Sequence, residues 1–489
     1  MSSNNISKIV LLVFGGAAAV LAVFAWMMYP GHGAVYVIFT MIANLLLYFG
    51  FRKNAIFFDT FIGIFFWLGF WLKLTVRVAF FDGFFNEPVG YFDGSGGAFD
   101  KALLVSSCGM LGLLAASFLR EKLSCNYPLK IEGITHQGLF SFYQNHRKIV
   151  LAGFVFLFFI TAATNSYFGI YQRGEITRTT LPFGMNGVYK WLLLFGLASF
   201  SALILRFEFE IKKKTSFLVM FLSLLESFVS NLSLLSRGMI LNSGSLIYGV
   251  FTSRRFHSIK SNLQFFAVTL FVLASLMAAS VFYANYLRAC DHLEASGQSS
   301  YQSYRKNLGI ITNITLTLFV DRWVGMEGVM AVSSYPDLGW DLSKTAWKET
   351  YNENETSFFD NTFIASPYIN TDKTKFHYIS LPGIVAFLFY PGSFLFLFVC
   401  MFILGVIAAI IEYFVFRLGG ENVILCSLIA QVVAFRYLSF GYVPMQSYLL
   451  FGSIILNLFI IYFADKMLLM LYSKDFRKDF TVLKNKNNQ

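Results

Sequence analysis

Charge is scarce in this chain: only 13% of its 489 residues are Asp, Glu, Lys or Arg, too few to clothe a soluble protein of that size. Cysteine is scarce as well. Of the five, Cys108, Cys400 and Cys426 fall in apolar stretches, Cys125 in a basic segment, and Cys290 stands alone in a polar one. A disulfide framework within the polar region is therefore excluded. No C-x-x-C, H-E-x-x-H or paired-histidine spacing occurs, and the six histidines are scattered, so the reading is no metal and no cofactor. A Walker A loop and a dinucleotide fingerprint are also missing, and the energy for any chemistry must come with the substrate. No internal repeat is evident.

What is abundant is apolar surface: 56% hydrophobic residues and 19% aromatics, with a mean hydropathy of +0.61. Long unbroken apolar runs satisfy their own backbone hydrogen bonds only as helices, and a β-barrel would show short alternating strands instead. The chain reads as an all-α polytopic membrane protein. A hydrocarbon core of about 30 Å needs roughly 20 residues per helix, and about twelve stretches approach that. They lie near residues 9–29, 34–51, 55–78, 101–119, 149–165, 184–205, 217–235, 239–252, 264–286, 393–416, 422–436 and 445–464. The first follows Lys8 without a convincing A-x-A site and is expected to be an uncleaved anchor.

Lys and Arg set the expected orientation. With Lys8 in the cytoplasm, the segments on that side collect 22 of the 38 basic residues and nine of the 27 acids, a net +13 that leaves −2 elsewhere. The positive-inside rule then places both termini and the short basic loops in the cytoplasm. The formal net charge of +11 is thus topology and membrane-lipid contact. Basic runs that are juxtamembrane and divided among loops leave no nucleic-acid footprint.

One long mixed stretch interrupts the apolar pattern, giving three parts: an N-terminal bundle of about nine spans (1–286), a large external loop between the ninth and tenth spans (287–380), and a C-terminal membrane block with a basic tail (381–489). The loop carries Arg288, Arg305, Asp321, Arg322, Glu327 and His377. Pro382-Gly383 and Pro391-Gly392 flank an apolar segment expected to dip into the outer leaflet or break the helix.

Several basic residues disobey the topology. Lys73 and Arg77 lie one helical turn apart on the same face, about 30 and 36 Å above Lys53. Arg237 sits in a Ser-Arg-Gly hairpin about 25 Å from Arg254, and Arg436 about 22 Å above Glu421, so both are recessed from the outer surface. Recessed arginines are costly. Each one either snorkels or pairs with a carboxylate, whereas several at one depth suit a lipid diphosphate, which the planar guanidinium grips with two parallel hydrogen bonds. Arg173 and Arg178 form a second external basic segment, which also reads as a solvated loop. Glu226, in mid-span, is either a buried partner within the bundle or a proton relay.

Certain runs are similar to those of the Wzy-type O-antigen polymerases of Gram-negative bacteria: F-F-W-L-G-F-W-L-K-L at Phe65 to Leu74, E-P-V-G at Glu87 to Gly90, S-R-G at Ser236 to Gly238, D-R-W-V-G-M-E-G at Asp321 to Gly328, and the Pro-Gly-flanked segment at 382–392. The resemblance covers most of the chain through short scattered motifs. It implies a glycosyltransferase of the bacterial inner membrane. This enzyme joins undecaprenyl-diphosphate-linked oligosaccharide repeat units at the periplasmic face by metal-independent inverting transfer, with a chain-length regulator protein as a possible partner. Some members carry paired R-x10-G motifs. Arg173 to Gly184 has that spacing, and none begins at Arg288, Arg305 or Arg322.

A sugar diphosphate is already activated, so its transfer needs the leaving group's charge neutralised and the acceptor hydroxyl deprotonated. The expected catalytic residues are Glu327 as base, with Asp321 or Asp337 as alternatives, and Arg322. Glu327 also reads as an ion-pair partner of Arg322, and a turn at Gly325 is needed to bring both to one pocket. Lys73, Arg77, Arg173, Arg178, Arg237, Arg288, Arg305, His377 and Arg436 are the expected substrate-binding residues. Two alternatives stay open: an O-antigen ligase, which His377 would suit, and a polysaccharide or lipid-linked-substrate transporter, which Glu226 and Lys190 would suit.

Overall fold

The structure is a computed structural model that describes residues 3–122, 135–214, 216–236, 238–256, 263–295, 320–353, 355–366 and 376–486. All twelve apolar stretches are helical. In chain order the helices are α1 (Ser3–Met28), α2 (Gly33–Gly50), α3 (Phe57–Phe80), α4 (Gly96–Lys122), α5 (Gln137–Phe168), α6 (Pro182–Lys212), α7 (Phe217–Ser233), α8 (Met239–Phe256) and α9 (Leu263–Ala295). Three short helices, α10 (Met326–Ser333), α11 (Trp340–Trp347) and α12 (Ile384–Leu388), precede α13 (Phe394–Leu418), α14 (Val423–Leu438) and α15 (Ser447–Lys486). Among the described residues eight helices are long and apolar enough to cross a membrane, while α7, α14 and the Phe14–Met28 part of α1 are shorter apolar helices. The protein is a polytopic helical membrane protein.

Two boundaries differ from expectation. Helix α5 begins twelve residues early and kinks at His146, where the apolar run meets Arg147 and Lys148. Helix α9 continues past residue 286 to Ala295, so the backbone at Arg288 extends the helix instead of opening the loop. The Pro-Gly-flanked segment forms the short helix α12, which is buried.

The chain divides into two compact units: Met1–Asn126, Leu316–Ala409 and Val433–Gln446 in the first, Tyr127–Thr315, Ile410–Val432 and Ser447–Gln489 in the second. Helix α3 is the core of the first unit. Of its most apolar stretch 78% is buried, against 17% for α13 and for the Gln264–Tyr283 part of α9, whose exposed apolar faces suit lipid. Indole donors fix α3 to α2: Trp67 Nε1 donates to Asn44 Oδ1 at 3.1 Å and Trp71 Nε1 to Thr40 Oγ1 at 3.2 Å. Between them α3 widens into a π-turn, Trp67–Leu72, a feature that inserts a residue into the helical ladder and recurs at functional sites.

In the second unit the loop after α5 is tied to the turn after α7. Asn165 Nδ2 bonds Ser233 O at 3.1 Å, Ser233 Oγ at 2.8 Å and Tyr171 O at 3.0 Å, and Arg173 N donates to Leu234 O at 3.0 Å. Glu226 is buried on α7, where Ser230 Oγ donates to it at 2.8 Å.

Candidate functional site

The first unit brings Lys73 and Arg77 against the segment 321–327. Both are almost fully buried, 1% and 3% exposed. Lys73 Nζ donates to Asp321 O at 2.7 Å, to Trp323 O and to Glu327 Oε1 at 2.7 Å, which uses all three ammonium protons. Arg77 makes the two-pronged contact with Asp321, Nε to Oδ1 at 3.0 Å and Nη2 to Oδ2. Its Nη1 reaches Phe84 O at 3.3 Å, and Asn86 Nδ2 adds a bond to Asp321 Oδ2 at 2.8 Å. The two cations expected to hold diphosphate are thus held by two of the expected catalytic acids.

Close backbone approach makes this arrangement possible. The chain leaves the helical path at Arg322 and resumes it at Met326, the turn expected around Gly325. A Cβ on Gly325 would lie 2.6 Å from Gly69 O, and one on Gly69 would lie 2.4 Å from Val324 O, so the π-turn and the 321–327 segment meet only as glycine against glycine. Phe65 stacks on Trp323 at 5.9 Å. On the far side α10 presses on the Pro382 backbone, where a Cβ on Gly328 would come within 2.0 Å of Pro382 O.

The ion pair of Glu327 is with Lys73, not with Arg322, whose side chain is exposed. Beside the pairs stands Glu87, open to solvent. Its carboxyl is pushed above the usual range, chiefly by the desolvation of its recess and next by Glu327. Lys73 opposes the rise, and Asp321 and Asp360 add to it. Three acids therefore face two bases, and the surplus proton-binding capacity rests on the one group water can reach. Such a group is suited to acid-base work.

His377 lies in the same unit. Its Nδ1 is 3.1 Å from Glu353 O, which can only accept, so neutral His377 carries its proton there and Nε2 accepts from Tyr442 Oη at 3.0 Å. Burial first, then Glu349, pushes Tyr442 up to about 12, which keeps the phenol a donor. Arg436 is half-buried with its guanidinium 5.4 Å from the Phe440 ring. Asp337, the alternative base, is exposed in the turn after α10 and has no polar partner among the described residues.

The remaining candidates lie in the second unit or outside the described residues. Arg178 is exposed and paired with Glu175 at 3.0 Å; Arg173 is half-buried in the loop fixed to Leu234. Arg237 and Arg305 lie outside the described residues, and Arg288 is described only as backbone of α9. Among the described residues no group of three or more His, Cys, Asp or Glu side chains is placed to hold a metal ion.

Sequence reasoning gave Asn86 and Glu87 no role, although the E-P-V-G run contains Glu87. Their signal was an acid and an amide just past a buried Arg in a short aromatic loop. No protein-family model, curated protein or solved structure matches the chain.

Proposed function

We propose that this chain is a membrane glycosyltransferase that polymerises oligosaccharide repeat units carried on undecaprenyl diphosphate at the periplasmic face of the bacterial inner membrane. It has about twelve spans, both termini in the cytoplasm and the polar stretch 287–380 outside, as the charge asymmetry supports. The observation that carries the reading is the joined set of Lys73, Arg77, Asp321 and Glu327, buried beside the open Glu87 and the exposed Arg322. It lies toward the end of α3 remote from the basic Arg52 and Lys53.

In the reaction the acceptor hydroxyl attacks the anomeric carbon of the donor. The bond from that carbon to the diphosphate oxygen breaks, the new glycosidic bond forms with inversion, and the proton passes to a carboxylate. Glu327, with one oxygen fixed by Lys73, is the base, and Glu87 relays the proton to water. Arg322 meets the diphosphate, whose growing negative charge a guanidinium offsets better than an ammonium because its fork matches phosphate. In this scheme Lys73 and Arg77 position acids instead of binding donor, and the tail of the lipid carrier stays in the bilayer. Membrane lipids line the exposed apolar faces.

The lipopolysaccharide ladder of a deletion strain tests the reading. Core plus a single repeat unit is the result for a lost polymerase, restored to a full ladder by the wild-type gene. Core without any repeat supports the ligase instead, for which the oriented His377 and its Tyr442 contact are the favouring observation. An unchanged ladder overturns both.

A further inference from the structure

Asp321, an expected catalytic residue, has little left to offer a substrate. Its Oδ1 accepts from Arg77 Nε at 3.0 Å, its Oδ2 from Arg77 Nη2 and from Asn86 Nδ2, the latter at 2.8 Å, and its backbone carbonyl takes Lys73 Nζ at 2.7 Å. Three of the roughly four lone-pair positions of the carboxylate are thus occupied, and the residue is 8% exposed. What Asp321 does hold, through Arg77 and through Asn86, is the loop 81–87.

Arg77 carries the first part of that loop. Its carbonyl accepts from Phe81 N and Gly83 N, each at 3.0 Å, its Nη1 reaches Phe84 O at 3.3 Å, and its guanidinium lies 4.8 Å from the Phe81 ring. Asn86 fastens the next part. Phe85 is buried, whereas Asn86 and Glu87 are exposed. Pro88 restricts the backbone of Glu87 to extended conformations, and at Gly90 the chain meets the short π-turn Asp360–Ile364, where a Cβ would lie 2.0 Å from Phe363 O. Glu87 therefore stands on a short, stiff bridge between two fixed points, the Asn86 amide and Gly90. The amide is the one that a single substitution releases.

We propose that Asp321 is a positioning residue and not a base, and that it acts through Asn86: their hydrogen bond latches the loop to the Lys73–Glu327 site and fixes where Glu87 stands. The inference rests on the reading of Glu87 as the proton relay. Arg77 supplies the countercharge a buried carboxylate requires, and Asn86 turns that carboxylate to use on the loop. Without the latch Glu87 turns toward water, away from Glu327 of α10, Lys73 of α3, Asp321 and Asp360, the charged groups that face it.

The test uses the full-length protein in nanodiscs and two readouts. The first is melting temperature against pH, which needs no substrate. Desolvation first and Glu327 next hold the Glu87 carboxyl above the usual range, so wild-type stability falls as pH rises from mildly acidic to neutral. Asn86→Ala should flatten that fall, and Asn86→Gln, which keeps an amide donor, should restore part of it. In a Glu87→Gln background Asn86→Ala should leave the slope unchanged. A merely structural hydrogen bond lowers the melting temperature equally at every pH, and a wild-type slope in Asn86→Ala overturns the proposal. The second readout is chain growth from lipid-linked repeat units. In Asn86→Ala kcat per folded molecule should fall on the order of tenfold with KM nearly unchanged, and the acidic limb of its pH profile should move to lower pH; an unmoved limb also overturns the latch. If wild-type protein makes no polymer while Asn86→Ala flattens the melting curve, the polymerase reading fails and the positioning by Asn86 stands. Should Asn86→Ala give no folded protein, Asn86→Leu, which keeps the volume and loses the donor, is judged on the same slope.

Discussion

Two charged networks in this protein solve opposite problems. In the second unit Glu208 gathers Tyr143 Oη at 2.8 Å, Arg147 Nη2 at 2.9 Å and Lys212 Nζ at 3.0 Å, and its two cations remain 37% and 31% exposed. Bases outnumber acids there, and the partners belong to the basic runs expected on the cytoplasmic side, so the network reads as an anchor at a membrane boundary. In the first unit Lys73, Arg77, Asp321 and Glu327 are each less than a tenth exposed, and Glu87 tips the balance toward acid. Burying two ion pairs costs more desolvation than most folds recover, whereas breaking one is more costly still.

The comparison is easiest to break at Arg77. Arg77→Ala leaves Asp321 buried with only Asn86 beside it and is expected to cost about 3–5 kcal/mol, read as lost yield and a lower melting temperature. Arg147→Ala leaves Glu208 with Lys212 and Tyr143, so its loss is much smaller, and equal losses would erase the distinction. Gly328→Ala comes next: its Cβ meets the Pro382 carbonyl, and the shift this forces on α10 costs about 1–3 kcal/mol, measurable by thermal unfolding.

Glu87 sharpens the comparison through pH. Its folded-state pKa is raised, so between the unfolded and folded values the folded state holds more protons and stability falls as pH rises. Glu87→Gln removes that fall, and melting curves of wild type and variant taken across the range from mildly acidic to neutral should converge at the acidic end. Parallel curves would show that Glu87 is not perturbed. As a proton relay it is active when ionised, so wild-type turnover should gain an acidic limb that the variant lacks. The smallest effect is expected at Arg178, whose exposed pair with Glu175 contributes less than about 1 kcal/mol; Arg178→Ala should melt almost as wild type does.

Much of this was readable in the chain. The apolar runs became helices, the turn at Gly325 is present, and Lys73 and Arg77 share a face because four residues make about one turn. What could not be read was the choice of partners. Lys73 reaches Glu327 across 254 residues, a contact decided by glycines meeting across a π-turn that local periodicity does not announce. The depth expected of Arg77 and Arg436 says nothing about company, because depth along an axis leaves azimuth open: Arg77 grips Asp321 while Arg436 lies over Phe440.

The most direct measurement compares Glu327→Gln with Glu208→Gln. Each purified protein is supplied with lipid-linked repeat units in nanodiscs, and chain growth and melting temperature are recorded together. Gln keeps the size of Glu and an acceptor for Lys73 but removes the basicity. In Glu327→Gln growth per folded molecule should therefore fall by about 10² to 10⁴ with donor binding kept, and melting should fall too because Lys73 loses its buried countercharge. In Glu208→Gln the melting temperature should fall while growth per folded molecule is preserved. Wild-type growth by Glu327→Gln, with stability lost instead, would contradict the catalytic reading of the buried pairs and leave them, like Glu208, as an anchor.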